Sequence, residues 1–153
     1  MLVDHTISPL ENVIAQINET NGTTFTSADF VLSDLTQIDF TSDITVKNSS
    51  LSVECTLNNE FYGTQTLNYR RLYIQEIIKS TKYSLQAGDT LEKIIELIAT
   101  RYKLIPSEIA FDAEADLNIP NGESRVLKLS AVDGSWVYLG EVDLTVYNNL
   151  PAA

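Results

Sequence analysis

The chain has 153 residues, 44% of them hydrophobic, with 10 Lys+Arg against 21 Asp+Glu and a formal net charge of −11. That composition builds a core for one ordinary domain or two very small ones and excludes a disordered chain. One cysteine, Cys55, and one histidine, His5, exclude an intramolecular disulfide, a Cys/His zinc site and a Ser-His-Asp or Cys-His apparatus inside the fold.

Residues 9–21 place Leu10, Val13, Ile14 and Ile17 at i, i+3, i+4 and i+7, the spacing of a helix with one buried face. Ser8 suits its N-cap, Pro9 its first position, and Asn21-Gly22 its end. Phe30 to Leu32 and Asp43 to Lys47 are predicted extended. Ser50 to Leu57 alternates, with Leu51, Val53, Cys55 and Leu57 on one side, which makes Cys55 a buried thiol. Asn58-Asn59 is a turn signal, and Phe61 to Tyr69 is the expected hairpin partner. Residues 70–79 fit either a continued strand or a short helix.

A second helix is predicted from Leu91 to Tyr102, with Leu91, Ile94, Ile95 and Ile98 at the same spacing and Gly88-Asp89-Thr90 before it. Pro106 breaks the pattern that follows. Glu108 to Phe111 and Leu117 to Ile119 are short extended candidates. Arg125 to Val132 alternates into an Asp133-Gly134 turn, and Trp136 to Tyr147 is predicted as one long alternating strand on which Trp136 and Tyr138 share a face with Val142, Leu144 and Val146.

The two halves align. Ser8-Pro-Leu-Glu-Asn-Val-Ile stands against Asp89-Thr-Leu-Glu-Lys-Ile-Ile, Thr26-Ser-Ala-Asp-Phe against Pro106-Ser-Glu-Ile-Ala, and Leu67-Asn-Tyr-Arg-Arg-Leu72 against Thr145-Val-Tyr-Asn-Asn-Leu150. The expected architecture is α+β: a tandem duplication, residues 1–79 and 80–153, of a unit with one amphipathic helix on a small, mainly antiparallel sheet.

Three stretches bear on chemistry. Tyr83-Ser-Leu-Gln-Ala-Gly-Asp-Thr-Leu91 resembles the opening of a LysM peptidoglycan-binding module, yet the helix runs about two turns too long, so a Gly turn and a helix cap are the preferred reading. Asp112 to Glu123 places acids at positions one, three, five and twelve, like an EF-hand loop. Leu117 stands where that loop needs Gly, and a solvated acidic loop is expected. No phosphate-binding glycine pattern occurs. No catalytic, cofactor or metal residue is assigned, and His5 is given no role.

A Leu-x-x-Val/Ile-Ile-x-x-Ile helix followed by Asn-Gly, alternating strands and Tyr-Gly-x-x-x-x-x-Tyr-x-Arg resembles a small domain of virion structural proteins of large tailed bacteriophages. The match is Leu10 to Gly22 and Phe61 to Arg71, with a weaker copy at Leu91 to Lys103 and Trp136 to Asn148. The resemblance implies a non-enzymatic particle component. A tail, baseplate or collar subunit is the first expectation and a capsid decoration protein the runner-up, localised to the virion after assembly in the bacterial host cytoplasm.

Its expected partners are other virion proteins and further copies of itself. The acidic charge argues against nucleic acid. No apolar run approaches the roughly 20 residues of a membrane span, and Met1 to Thr6 carries no secretory pattern. No small-molecule substrate and no cofactor are expected. A carbohydrate- or peptidoglycan-binding module is the remaining alternative, and it needs Tyr62, Tyr69, Trp136 and Tyr138 to face solvent.

Overall fold

In the computed structural model, which describes residues 3–39, 46–56 and 63–150, helix α1 spans Pro9–Asn21. Ser8 Oγ accepts the Glu11 N–H at 3.2 Å, while the Glu11 carboxylate accepts the Ser8 N–H at 2.9 Å, a closed capping box. Pro9 occupies the first turn, where its missing N–H costs nothing. Gly22 ends the helix in the left-handed region (φ 65°), which a side chain would strain. Val13, Ile14 and Ile17 are buried as the spacing requires, while Leu10 is only half-buried and the polar Asn12 is buried with them.

A 3-10 turn at Ser27–Asp29 leads into β1 (Phe30–Gln37), followed by β2 (Ser49–Cys55) and β3 (Gly63–Tyr69), an antiparallel meander in the order β1-β2-β3. Leu51 and Val53 of β2 are buried, and register sets Leu32 beside Val53 and Leu51 beside Leu67. A bulge between Ser33 and Thr36 bends β1, with Asp34 at φ 53°. Cys55 is half-exposed, not buried, because it ends β2 at the rim. Residues 43–45 of the expected strand, Leu57, the Asn58-Asn59 turn, Phe61 and Tyr62 lie outside the described residues.

Residues 1–71 form one compact unit and residues 72–153 a second. The division falls ahead of the expected 79/80 boundary because residues 72–78 build into the second unit. Strand β4 (Leu72–Tyr73) pairs parallel with β8 (Tyr138–Leu139), and the single-turn helix α2 (Ile74–Ile77) follows β4. The strand that ends at Tyr69 does not continue through residues 70–79; a separate two-residue strand and a short helix occupy part of that stretch.

The rest of the second unit comprises β5 (Lys82–Ser84), α3 (Leu91–Tyr102), a 3-10 turn at Pro106–Glu108, β6 (Ile109–Phe111), β7 (Ser124–Ala131) and β9 (Glu141–Tyr147). Its four-stranded sheet runs β5-β9-β7-β6, antiparallel except for the β5–β9 pair. Ile94, Ile98, Leu127, Leu129, Leu144 and Val146 are buried there. Residues 117–119 form no strand; Ile119 is instead a buried plug.

The expected long strand from Trp136 to Tyr147 is broken. Gly140, at φ 82°, separates β8 from β9 and sends them to different sheets. The protein is α+β, with sheets mainly antiparallel. The order helix, 3-10 turn and three antiparallel strands occurs in both units: α1 to β3, and α3 to β6, β7 and β9. The 3-10 turns align Ser27 with Pro106, one residue from the pairing that sequence suggested.

Candidate functional site

The aromatic side chains needed by a sugar-binding surface are largely internal. Tyr69 and Tyr138 are 5% and 1% exposed, and Trp136 is half-buried. Tyr62 lies outside the described residues. Tyr138 sits under the 104–109 segment, where its hydroxyl oxygen accepts the Ile105 N–H at 3.1 Å and burial raises its pKa. It is a structural residue.

The Tyr83-to-Leu91 motif folds as a helix entrance. Asp89 Oδ2 accepts the Tyr83 hydroxyl at 2.8 Å and the Gln86 N–H at 2.8 Å, and Thr90 Oγ1 accepts the Lys93 N–H at 3.2 Å. Partial burial, followed by the Asp89 hydrogen bond and charge, pushes the Tyr83 phenol up to about 12. The Asp89 and Thr90 side chains thus serve the turn and the helix cap, which accounts for these two residues without a ligand.

The acidic loop is likewise held by its own bonds. Asp116 Oδ1 accepts the Asn118 N–H at 2.8 Å and pairs with the Arg125 guanidinium. Asn148 closes the loop from the other side, its Nδ2 donating to the Ile119 carbonyl at 2.6 Å while Gly122 N–H donates to the Asn148 carbonyl at 2.7 Å. Among the described residues no three acidic, Cys or His side chains converge as a metal site. The EF-hand spacing is thus a linear pattern that the backbone does not wrap into a cage. His5 is exposed.

One concavity among the described residues of the first unit is apolar. A cavity of about 530 Å³ lies among Ile17 and Asn21 of α1, Phe25, Phe30, Val53 and Leu67. Phe25 and Phe30 meet edge to face, with centroids 4.8 Å apart and planes at 73°. Cys55, Gly63, Gln65 and Thr66 complete its rim toward β3. Sequence reasoning did not identify this concavity, since its residues come from four separate segments whose convergence no local spacing reports.

The two sheets differ in their outward faces. On the first, the rows are Val31-Glu54-Thr64, Ser33-Ser52-Thr66 and Thr36-Ser50-Asn68, nearly all uncharged. On the second, β7 and β9 present Lys128 opposite Asp143 and Ser130 opposite Glu141, with a Lys128–Glu141 ion pair at 2.8 Å. For a chain of net charge −11, the first face is unusually neutral. Depletion of charge is a property of interface centres.

No helix among the described residues is long and apolar enough to cross a membrane. No curated protein and no solved structure matches the chain. A family model does match it, over residues 5–152, so the chain belongs to DUF7941, a family of unknown function.

Proposed function

We propose that the protein is a non-enzymatic structural subunit of a bacteriophage virion that docks to neighbouring virion proteins and to copies of itself. The observation that carries this reading is the neutral, Ser/Thr-rich outer face of the β1–β3 sheet beside an apolar cavity, on a chain otherwise strongly acidic. Charge keeps free subunits apart and soluble, while a neutral β surface allows close approach where assembly requires it. The recurrence of helix, 3-10 turn and three antiparallel strands in both units supports a tandemly duplicated building block. The resemblance of Leu10 to Gly22 and of Phe61 to Arg71 to virion domains supplies the class of particle. Within it, a tail, baseplate or collar position is preferred to capsid decoration, because two like units suit a ring of pseudo-symmetric subunits.

The test is co-sedimentation. Particles released by lysis of the producing host are banded by density, and peptides of this chain are quantified in the band and in the soluble fraction. A fixed copy number per particle supports the proposal. Recovery in the soluble fraction alone contradicts it.

A further inference from the structure

Among the described residues, four strands lie at the edges of the two larger sheets, and three of them are guarded. Strands β5 and β6 are three residues long, and β1 is bent by its bulge with Asp34 at the kink. Short length, bulges and charge are the ordinary devices that stop an edge from pairing with another chain. Strand β3 has none of them. Gly63-Thr-Gln-Thr-Leu-Asn-Tyr69 runs seven residues in unbroken register with β2 and contains no charged residue and no proline.

The outward-facing groups follow from the ladder. Just past β2, Thr56 N–H donates to the Asp29 carbonyl at 2.9 Å, and register carries that parity to Glu54 and Ser52, whose backbone groups face β1. Before β2, Asn48 is shared, its carbonyl accepting from Ile38 N–H at 2.9 Å and its N–H donating to the Tyr69 carbonyl at 3.1 Å. Bonding alternates along a strand, so the odd residues of β2 bond toward β3. Register then pairs Leu51 with Leu67 and Val53 with Gln65 through hydrogen bonds, which leaves the N–H and C=O of Thr64, Thr66 and Asn68 pointing away from the sheet. Among the described residues nothing takes these groups, and all three side chains are exposed.

We infer that β3 is a self-pairing edge: it joins antiparallel to β3 of a second copy about a twofold axis through Thr66, merging two three-stranded sheets into one of six strands. This is the register that uses all three outward residues. Thr66 faces Thr66 and Thr64 faces Asn68, with each facing pair exchanging two backbone bonds. Charge selects the occupant. A second copy brings net charge −11, and β3 is a strand at which two such chains meet without opposing a single ionised side chain. On the outer face the contact aligns Thr and Asn side chains able to hydrogen-bond across strands. On the inner face it sets the partner's Leu67 beside Gln65, at the rim of the apolar cavity.

This contact deepens the proposed role as an assembly subunit by naming the surface used for self-association. The test is native mass spectrometry and sedimentation of the full chain at several concentrations, with the variants Thr66→Pro, Thr66→Lys and Thr66→Glu. Thr66→Pro deletes an outward N–H and leaves the β2–β3 bonds in place; the lysine and glutamate variants oppose like charges across the axis. The wild type is expected to dimerise, each variant to raise the dimer dissociation constant by at least about tenfold, and an equimolar Lys/Glu mixture to recover the dimer. Circular dichroism of the Lys and Glu variants separates loss of pairing from loss of fold. A wild-type monomer at every concentration, or a dimer indifferent to all three substitutions, overturns the inference. Neither outcome bears on particle incorporation, which the co-sedimentation experiment reads separately.

Discussion

Asn48 and Arg71 clasp each other through one side-chain amide. Asn48 Oδ1 accepts the Arg71 N–H at 2.7 Å and Asn48 Nδ2 donates to the Arg71 carbonyl at 2.9 Å, so the amide imitates a strand partner for a residue that lies beyond the end of β3. The same device recurs in the first unit. Asn12 takes the N–H and C=O of Asp4 at 2.7 and 2.8 Å, and Asn18 those of Phe25 at 2.8 Å each. These residues give polar satisfaction to backbone that no regular ladder reaches.

Asn48 is fully buried and Arg71 nearly so. Asn48→Ala leaves two buried backbone groups of Arg71 without these partners, at roughly 1–3 kcal/mol each. A loss of about 3 kcal/mol in urea unfolding is expected, with Asn48→Asp no better, because a carboxylate cannot donate to the Arg71 carbonyl. A loss below about 0.5 kcal/mol would show that the clasp is incidental.

Gly140 separates β8 from β9 at φ 82°, and a methyl group there would meet the Gln75 side-chain amide. Gly134 has a similar φ of 73° with open space around it. Gly134→Ala is expected to cost about 1 kcal/mol from backbone strain alone, and Gly140→Ala about 2. The difference between them should vanish in a Gln75→Ala background, as measured by a double-mutant cycle.

Tyr83 is held protonated up to about 12 against an ordinary value of 10.0. A phenol whose folded pKa is raised contributes stability in full below pH 10, and that stability is lost as pH rises from 10 toward 12. Stability should therefore fall over that window in the wild type and less steeply in Tyr83→Phe. A spectrophotometric titration of the seven tyrosines should lose a late component in the same variant.

At the acid end, the Glu11 carboxylate sits below its usual 4.5, held first by the Ser8 backbone N–H and then by the Ser8 hydroxyl. The depressed value makes its contribution present above pH 4.5 and lost as pH falls through the folded pKa. Glu11→Gln keeps a capping residue at that position while removing the titration. Its melting temperature is expected to decline less than that of the wild type on acidification, and parallel curves would contradict the capping account.

Local signals in the sequence carried both long helices to their correct ends, because Ser8, Pro9, Gly22 and Thr90 act on backbone within four residues of themselves. Strand alternation found β2 and β7 for a similar reason. Gly140 gives no such signal, because the side chains on either side of it keep an even-numbered apolar pattern, and only the sheet assignment of Tyr138 against Val142 exposes the break. Cys55 alternates with Leu51 and Val53 yet stands half-exposed, since position along a strand decides depth as much as the face does. The neutral edge of β3 was legible as a string of uncharged residues. Its meaning required the register, which tells which N–H groups point outward.

That parity permits a direct measurement on the central proposal of an assembling subunit that pairs through β3. Backbone amide hydrogen exchange is followed by NMR along residues 63–69 at rising protein concentration. The amides of Gln65 and Leu67, bonded to β2, should be protected at every concentration. Those of Thr64, Thr66 and Asn68 should exchange freely in dilute solution and slow together as the concentration rises. Continued fast exchange of these three amides in concentrated protein would contradict self-association at this edge.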